Sequence, residues 1–238
     1  MRVNVVCDFD GTIALEDVTD SLLDRFADPA WKHIEAQWLA GIFGSRECMA
    51  RQVGLIEANY EELDRYLDAV EIDPSFPPFV EECERRGNVA LNVVSDGIDY
   101  AVKRILGNHG LSRLRVKANA LIALADHRYR LDFPHSATDC RAQAGTCKCA
   151  IGRSLSRPMP SYSPIILIGD GTSDFCIASQ ADFVFAKDRL LAHCKANAIP
   201  HLSFDTFSDI ERELTHVIGK FHQSVQSAYD LTETPSDA

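Results

Sequence analysis

The chain has 238 residues, of which 46% are hydrophobic and 25% charged, and its formal net charge is -11. This length and composition allow a sizeable hydrophobic core, either as one large domain or as a core with a smaller insert. The negative charge argues against nucleic acid or an anionic membrane as a partner, because their phosphates would be repelled. No apolar stretch approaches the length that spans a bilayer, so a cytoplasmic protein is predicted.

The first predicted element is a buried strand that runs into Asp8 and Asp10. Side chains alternate along a strand, so both carboxylates are expected on one face near its carboxyl end, where open α/β sheets place their chemistry. Two carboxylates this close repel each other, and they stay ionised only if a cation or several donors lie between them. The pair therefore predicts a cation site, although an isolated DxD pattern is also typical of helix caps and turns.

Helical periodicity follows between about residues 16 and 72, where apolar residues recur at the spacing of amphipathic helices. A proline-rich stretch then marks the return to the core. The predicted organisation is an α/β catalytic core of residues 1–14 and 75–238 with a helical cap domain of residues 15–74. Such an insert can close over a substrate as a lid, or its aromatic residues can simply form the core of a helical bundle.

The remaining elements alternate between helix and strand, which is typical of a parallel sheet. In chain order they are a helix at 78–86, a strand at 89–94, a helix at 98–107, antiparallel strands at 116–124 and 129–133, a helix around Lys148, a strand at 165–169, a helix to about 180, a strand at 182–186 and a helix at 206–225. The last dozen residues are polar and are predicted to be disordered. The fold class is α/β, with a Rossmann-like parallel sheet core and a helical cap inserted after the first strand.

Two later segments carry groups that can bind a phosphate. Ser95, Asp96 and Gly97 end the strand at 89–94 and offer a hydroxyl and turn amides at a predicted helix start. Lys148 lies just inside another predicted helix and offers a compact positive charge. Taken singly, Ser95 could be only a helix cap and Lys148 only a solvated charge.

A second acidic pair, Asp170 and Asp174, follows the strand at 165–169 across a glycine turn. If both strands with acidic ends lie in one parallel sheet, these residues converge with Asp8 and Asp10 at one edge. Carboxylates suit Mg2+, which proteins commonly hold with one or two carboxylates, waters and substrate phosphate oxygens. Mg2+ is therefore the predicted cofactor.

The order of these motifs, DxDGT, a serine after a strand, a lysine and GDGxSD, resembles the haloacid dehalogenase superfamily of phosphohydrolases, and the motifs span residues 5 to 174. The resemblance implies that Asp8 is a nucleophile that becomes a phosphoaspartate and that Asp10 is the acid and base. It also implies that Asp170 holds Mg2+ together with Asp8 and Asp10. Asp174 would support the metal shell or Lys148.

The same resemblance implies a set of phosphate contacts. Ser95 and Lys148 would bind the phosphoryl group, and Asp96 and Gly97 belong to the same motif as Ser95. Thr12, in the first loop, is expected to touch the phosphate or to act as a turn hydroxyl.

Within that superfamily, the long insert after the first motif and the tracts 133–140 and 145–148 are similar to the phosphoserine phosphatase branch. The tracts 185–188 and 191–194 are similar to the methionine-salvage phosphatases, which act on a 2-hydroxy-3-keto-5-methylthiopentenyl phosphate. In this branch an acidic residue seven positions after the second aspartate faces the substrate, which maps to Asp17.

This chain departs from the methionine-salvage subgroup at two positions. Asp96 stands within a motif that has the form Ser-Gly-Gly there, and Cys149 stands where proline or a small residue is expected. The departures leave the exact substrate open at this point.

The complete set of groups predicts a Mg2+-dependent phosphomonoesterase for a small phosphorylated metabolite. The alternatives are a phosphoserine or phosphoethanolamine-type phosphatase, a phosphotransferase or mutase, and a non-catalytic phosphate-binding protein. The last class is expected to lack Asp10 or Lys148, and both are present. The oligomeric state stays open.

The eight cysteines lack paired CxxC spacing, so reduced thiols are predicted. One stretch containing His135, Cys140, Cys147 and Cys149 has residue types that bind zinc, although its spacing is irregular. A zinc site there is kept as an alternative.

Overall fold

The computed structural model describes residues 1–156 and 162–232, with side chains described through residue 223. Within these ranges the strands are β1 (Val3–Cys7), β2 (Val89–Ile98), β3 (Arg115–Ala123), β4 (Tyr129–Asp132), β5 (Ile165–Gly169), β6 (Phe183–Ala186) and β7 (His201–Ser203). They form one sheet in the order β4-β3-β2-β1-β5-β6-β7, in which the β3–β4 pairing is antiparallel and the other pairings are parallel. The predicted α/β fold class is confirmed.

Helices cover both faces of this sheet. Four of them follow β1 and form the helical insert: α1 (Val18–Phe26), α2 (Trp31–Leu39), α3 (Ser45–Val53) and α4 (Tyr60–Leu67). The others are α5 (Phe76–Arg86), α6 (Asp99–Asn108), α7 (Lys148–Leu155), α8 (Phe175–Ala178), α9 (Asp188–Ala196) and α10 (Phe207–Thr232). None of the helices in the described ranges is both long and apolar enough to cross a membrane.

The central strands β1 and β5 are buried along their whole length. Both are rich in valine and isoleucine without strict alternation with polar residues, as expected for parallel strands that helices cover on both sides. Val5 pairs with Ile166 and Cys7 with Ile168, so the two strands end side by side. This register places the residues that follow β1 next to those that follow β5.

The helical insert shares its apolar core with one face of the sheet. Leu23 and Leu63 of the insert belong to the same buried cluster as Val5 and Phe76. The local sequence supports its helices, since α4 begins with a capping box in which Asn59 and Glu62 bond each other's backbone amides. The insert is therefore packed as part of the protein's interior.

The chain enters and leaves the helical insert at one place. Ala14 forms an antiparallel bridge with Ile72, and the amide of Asp73 donates to the carbonyl oxygen of Ile13. The carboxylate of Asp73 also accepts from the amide of Phe207, which fixes the outgoing crossing to the start of α10. The two crossings thus lie beside each other at the edge of the core.

The structure differs from the sequence prediction at the end of β2. The sequence predicts that the strand ends near Ser95 in a turn before the helix at 98–107, but β2 continues to Ile98 and α6 begins directly at Asp99. The pairing with β3 shifts register between Val94 and Ile98, so the glycine in this stretch lies in an irregular strand end. The turn and helix start predicted at residues 95–97 are therefore wrong, whereas the helix predicted at 98–107 is present as α6.

Two elements near the carboxyl end are not predicted from the sequence, namely α9 and the three-residue edge strand β7. The last helix runs through residue 232, past its predicted end near 225. The polar tail predicted to be disordered thus begins within this helix, and its final residues, 233–238, lie outside the described residues.

Candidate active site

The candidate active site lies in the middle of the sheet, where β1 and β5 end side by side next to residues 95–97 of β2. Asp8 directly follows β1, and its amide donates to the carbonyl oxygen of Ile168 in β5. Asp170 directly follows β5, and Asp174 ends a short 3-10 helix at residues 172–174. Parallel strand pairing alone therefore brings the first and the last sequence motifs to one edge.

Three carboxylates meet at this edge. Asp8, Asp170 and Asp174 each offer one oxygen, and these oxygens lie within 4.8 Å of one another. The hydroxyl of Thr12 donates to Oδ1 of Asp170 at 2.6 Å and so orients one of the three. Burial, and next the charge of Asp8, raise the pKa of Asp170. Such crowding of acids requires compensating positive charge.

Part of that charge comes from Lys148, the first residue of α7. Its Nζ lies 2.7 Å from Oδ2 of Asp8 and 2.7 Å from Oδ1 of Asp174, and the lysine is 3% exposed. Burial opposes the charge of the ammonium group, but Asp174 and Asp8 outweigh this effect and raise the pKa of Lys148. One ammonium group faces three carboxylates, so the group keeps a net negative charge when all are ionised.

This arrangement fits a hard divalent cation. The donors are carboxylate oxygens that already converge without one, and the charge left after Lys148 is counted matches a divalent ion. Mg2+ prefers such oxygen ligands and keeps further positions for water or phosphate oxygens. Asp8, Asp170 and Asp174 are the residues that could hold it.

The carboxylate of Asp10 lies apart from this group and points toward β2. Its Oδ1 accepts from the amide of Val18, and its Oδ2 accepts from the hydroxyl of Ser95 at 3.2 Å. Burial, then the charges of Asp17 and Asp8, raise the pKa of Asp10 well above the usual range of an aspartate. Asp10 can therefore keep its proton at a pH where an ordinary aspartate has lost it.

The backbone at Gly97 passes close to the side chains of Ser95 and Asp10. Ser95 is fully buried, and its hydroxyl accepts from the amide of Gly97 at 2.8 Å. A Cβ atom at Gly97 would come within 2.6 Å of Oδ2 of Asp10 and 2.9 Å of the hydroxyl of Thr19. Only glycine lets the chain pass this close to the Asp10 carboxylate.

The model of the haloacid dehalogenase-like hydrolase family matches residues 5–179 of this chain. The match covers more than half of the chain and includes all the residues of the site described above. The chain belongs to the haloacid dehalogenase-like hydrolases.

Curated relatives of this hydrolase carry the name of one phosphatase. The 2-hydroxy-3-keto-5-methylthiopentenyl-1-phosphate phosphatase of Exiguobacterium sp. is 33% identical over 213 residues, covering 88% of this chain and 96% of the relative. A phosphatase of the same name from Bacillus cereus is 31% identical over 223 residues, covering 92% and 99%. The hydrolase therefore lies among the phosphatases of its family, and its predicted resemblance to the methionine-salvage subgroup is confirmed.

Solved structures with this fold include phosphoserine phosphatases. A substrate-bound phosphoserine phosphatase complex matches with a TM-score of 0.66 at 18% identity, over 89% of this chain and 98% of that chain. A probable phosphoserine phosphatase from Vibrio cholerae matches with a TM-score of 0.69 at 15% identity, over 94% and 67%. These matches confirm the fold of the hydrolase.

The structure of the hydrolase places two predicted metal residues differently from the sequence argument. Asp10 is predicted as a ligand, but its carboxylate is outside the group of three, because β1 ends at Cys7 and Asp10 lies in the following turn. The strand alternation on which the shared face of Asp8 and Asp10 depended does not extend that far. Asp174, predicted as a supporting residue, is inside the group and also bonds Lys148.

Three further predicted residues have side chains that are already engaged within the hydrolase. Thr12, predicted to touch phosphate, is fully buried and donates to Asp170. Asp96, predicted as a phosphate contact, accepts from Ser45 and from the amide of Thr146 through its carboxylate. Any contact of Asp96 with a phosphate would therefore come from its backbone. Asp17 is an exposed residue that caps α1 by accepting from the amide of Asp20.

Sequence reasoning missed Ser173 in this site of the hydrolase. Its hydroxyl accepts from Nζ of Lys148 at 2.9 Å and lies 3.3 Å from Oδ2 of Asp8. Ser173 stands inside the GDGxSD motif, and this position in the sequence could have marked it as a site residue. Only the folded turn shows that its hydroxyl reaches Asp8.

The residues of the alternative zinc site do not converge in the described part of the structure. Among the described residues, the metal-binding side chains that converge are those of Asp8, Asp170 and Asp174. The side chains of His135, Cys140, Cys147 and Cys149 do not form a second such group there. All eight cysteines are free thiols. Burial raises the pKa of Cys149 to about 12, so this thiol stays protonated at neutral pH.

Proposed function

We propose that this hydrolase is a Mg2+-dependent phosphomonoesterase that works through a phosphoaspartate on Asp8. The observation that carries the proposal is the contact of Lys148 with Asp8 inside a group of three converging carboxylates. A group of this composition binds a phosphate ester only when cations neutralise it. Asp8, Asp170 and Asp174 would hold Mg2+, which when bound supplies positive charge to the phosphoryl oxygens.

The residues of the chain divide the reaction into two steps. Asp8 attacks phosphorus while Lys148 and Ser95 position the phosphoryl group, and positioning matters more here than the basicity of the nucleophile. Asp10 protonates the leaving alkoxide, which its raised pKa favours. In the second step Asp10, now ionised, takes a proton from the water that attacks the phosphoaspartate.

The helical insert would act as a lid over this site. The proposed division is a catalytic core of residues 1–14 and 75–238 and a cap domain of residues 15–74, which meet at the two adjacent crossings. A lid expels water and selects the leaving group. Asp17, in the first turn after the crossing, would contact the organic part of the substrate.

The proposed substrate is 2-hydroxy-3-keto-5-methylthiopentenyl-1-phosphate. Its support is the shared name of relatives that are 31–33% identical and aligned over nearly their whole length. The action on phosphate esters is supported by the site itself, whereas the organic part is supported by the relatives. A cytoplasmic location stays a prediction from the sequence.

The test is release of inorganic phosphate by the purified protein. With p-nitrophenyl phosphate as probe, activity is expected with Mg2+ and is expected to disappear when a chelator removes the ion. A panel of phosphoserine, phosphoethanolamine and the methylthiopentenyl phosphate then compares kcat/KM. Highest kcat/KM for phosphoserine or phosphoethanolamine would reject the proposed substrate, and no turnover of any ester would reject the phosphatase itself.

Transfer to an alcohol is the remaining enzymatic alternative. The proposed phosphatase passes the phosphoryl group to water, so adding a small alcohol should leave the release of inorganic phosphate almost unchanged. A phosphoenzyme that reacts with the alcohol faster than with water would assign the chain to the phosphotransferases instead.

Replacing Asp10 by asparagine is expected to separate the two steps. An amide cannot donate or take the proton, so turnover of an alkyl phosphate should fall by about 100-fold or more. An aryl phosphate has a good leaving group, so the phosphoenzyme should still form slowly and accumulate. Acid quenching followed by intact mass measurement detects it, with Asp8→Asn as the variant that forms none. Unchanged turnover of the alkyl ester in Asp10→Asn would contradict the assigned role.

Binding of Mg2+ is expected to raise the midpoint of thermal unfolding more at about pH 8 than at about pH 6. Burial and Asp8 raise the pKa of Asp170, and the same two causes raise the pKa of Asp174 to about 8. A carboxylate binds the ion after losing its proton, so affinity falls as pH falls through these raised values. Thermal scans with and without MgCl2 measure the shift, and Asp170→Asn should reduce it. A shift that is the same at both pH values would contradict the site.

A further inference from the structure

Asp96 is an acidic residue in a motif that contacts phosphate in the proposed function. Its neighbours in sequence are Ser95, which bonds Asp10, and Gly97, whose amide bonds Ser95. A carboxylate directed at the phosphoryl group would repel it and weaken binding. The side chain of Asp96 must therefore be occupied elsewhere if the motif is to work.

The structure shows where this carboxylate is occupied. Oδ2 of Asp96 accepts from the hydroxyl of Ser45 at 2.7 Å. Oδ1 accepts from the amide of Thr146 at 2.8 Å and from the side-chain amide of Asn119 at 3.2 Å. Donors from three separate parts of the chain thus converge on one side chain.

The bond to Ser45 joins the core to the helical insert. Ser45 is the first residue of α3, and its amide and that of Arg46 donate to the carbonyl oxygens of Ala142 and Gln143. The start of α3 therefore rests on the loop of residues 140–146, with Asp96 beneath the contact. Opening of the insert at this end would have to break the Ser45–Asp96 bond.

The bond to Thr146 reaches the phosphate-binding lysine. Thr146 is fully enclosed, and it lies two residues before Lys148, which begins α7. The hydroxyl of Thr146 also donates to Asn119, which in turn donates to the backbone oxygen of Asp96. The approach to α7 is thus fixed by a closed network around Asp96.

We infer that Asp96 is a positioning residue that links seating of the helical insert to placement of Lys148. The inference rests on the proposed function, because it assigns Lys148 to the phosphoryl group. One oxygen of Asp96 holds the insert and the other holds the lysine loop. When α3 is seated, the Asp96 carboxylate is turned away from the phosphate and fixed between the two. This role explains why an aspartate can stand at position 96, where the Ser-Gly-Gly motif has glycine.

A double-mutant cycle tests this link. Ser45→Ala removes only the bond to the insert, so it should raise KM for p-nitrophenyl phosphate with little change in kcat. Asp96→Ala also frees Thr146, so it should lower kcat as well. The expected loss of kcat/KM in Ser45→Ala is about three- to tenfold in the native background and less than about twofold in the Asp96→Ala background. Asp96→Asn keeps an oxygen for Thr146 and a polar partner for Ser45, so it should restore most of the activity.

Hydrogen exchange gives a readout that does not need activity. Amides in segments 44–48 and 142–147 should exchange faster in Ser45→Ala and in Asp96→Ala than in the native protein. Ser21→Ala is the matched control, because it removes a 2.6 Å serine–carboxylate bond to Glu16 that does not reach the core. In this control both segments should exchange as in the native protein.

The possible results separate the inference from the proposed function. Equal losses of kcat/KM from Ser45→Ala in both backgrounds, or unchanged exchange in both segments, would overturn the link. A native protein that hydrolyses no phosphate ester would overturn the proposed function. The exchange data would then still decide whether Asp96 joins the insert to the lysine loop.

Discussion

Replacing Asp8 by asparagine is expected to reduce phosphate release by at least about 1,000-fold, because the amide cannot form the phosphoenzyme. The fold should survive this change. Asp8 is 5% exposed and lies among Asp170 and Asp174, so removing its charge also removes repulsion inside the site. The midpoint of thermal unfolding without Mg2+ should stay the same or rise.

The measurement for Asp8→Asn combines phosphate release with a thermal scan. Asp24→Asn is the control, since Asp24 forms an exposed ion pair with Lys32 and is not among the residues assigned to the site, so it should keep full activity. Full phosphatase activity in purified Asp8→Asn protein would reject Asp8 as the nucleophile. A loss of activity accompanied by unfolding would leave only a structural role for the residue.

Lys148→Met is expected to lower both activity and stability. Lys148 is 3% exposed and its ammonium group contacts two buried carboxylates, so its loss leaves them without compensation. Removing one partner of a buried ion pair costs about 3–5 kcal/mol, and this range sets the expected loss in the free energy of unfolding without Mg2+. Turnover should fall by about 100-fold or more, because the phosphoryl oxygens lose a fixed positive charge.

The double variant Lys148→Met, Asp174→Asn distinguishes the two effects of the lysine. Asp174 is fully buried and its carboxylate bonds Lys148, so neutralising both partners should recover most of the lost stability. Activity should stay low, because phosphate binding still lacks the lysine. Denaturant unfolding and steady-state kinetics measure the two quantities. A stable, fully active Lys148→Met protein would contradict the description of the site.

The convergence of Asp8 and Asp170 could be predicted from the sequence, because it follows from the order of the strands in the sheet. Asp8 and Asp170 each stand one residue beyond a buried parallel strand, and such ends converge whenever the strands are neighbours. The alternation of helix and strand likewise predicted the α/β class. These inferences need only the chain's periodicity and the positions of its polar residues.

Side-chain direction could not be predicted in the same way. Asp10 turns toward Ser95 and the amide of Val18, since the chain has left the strand before reaching it. Asp96 bonds Thr146 and Ser45, which lie about fifty residues away on either side in sequence. Contacts of this kind depend on tertiary packing, and no local pattern in one sequence encodes them.

The end of β2 shows why a local turn signal can mislead. Gly97 favours a break in the strand, but hydrogen bonding to β3 resumes at Ile98 after a register shift. The irregular stretch lets Ser95 and Gly97 approach Asp10 while the strand continues. The edge strand β7, with three residues, is too short to leave a recognisable period in the sequence.

The adjacent crossings at Ala14–Ile72 and Ile13–Asp73 have a consequence for how this enzyme can change over time. A segment whose two ends meet can lengthen, shorten or be exchanged without altering the pairing of β1 with its neighbours. Substrate preference can then diverge while the reaction centre stays the same. Here that freedom is restricted by Asp96, because a new segment must again offer a hydrogen-bond donor where Ser45 now stands.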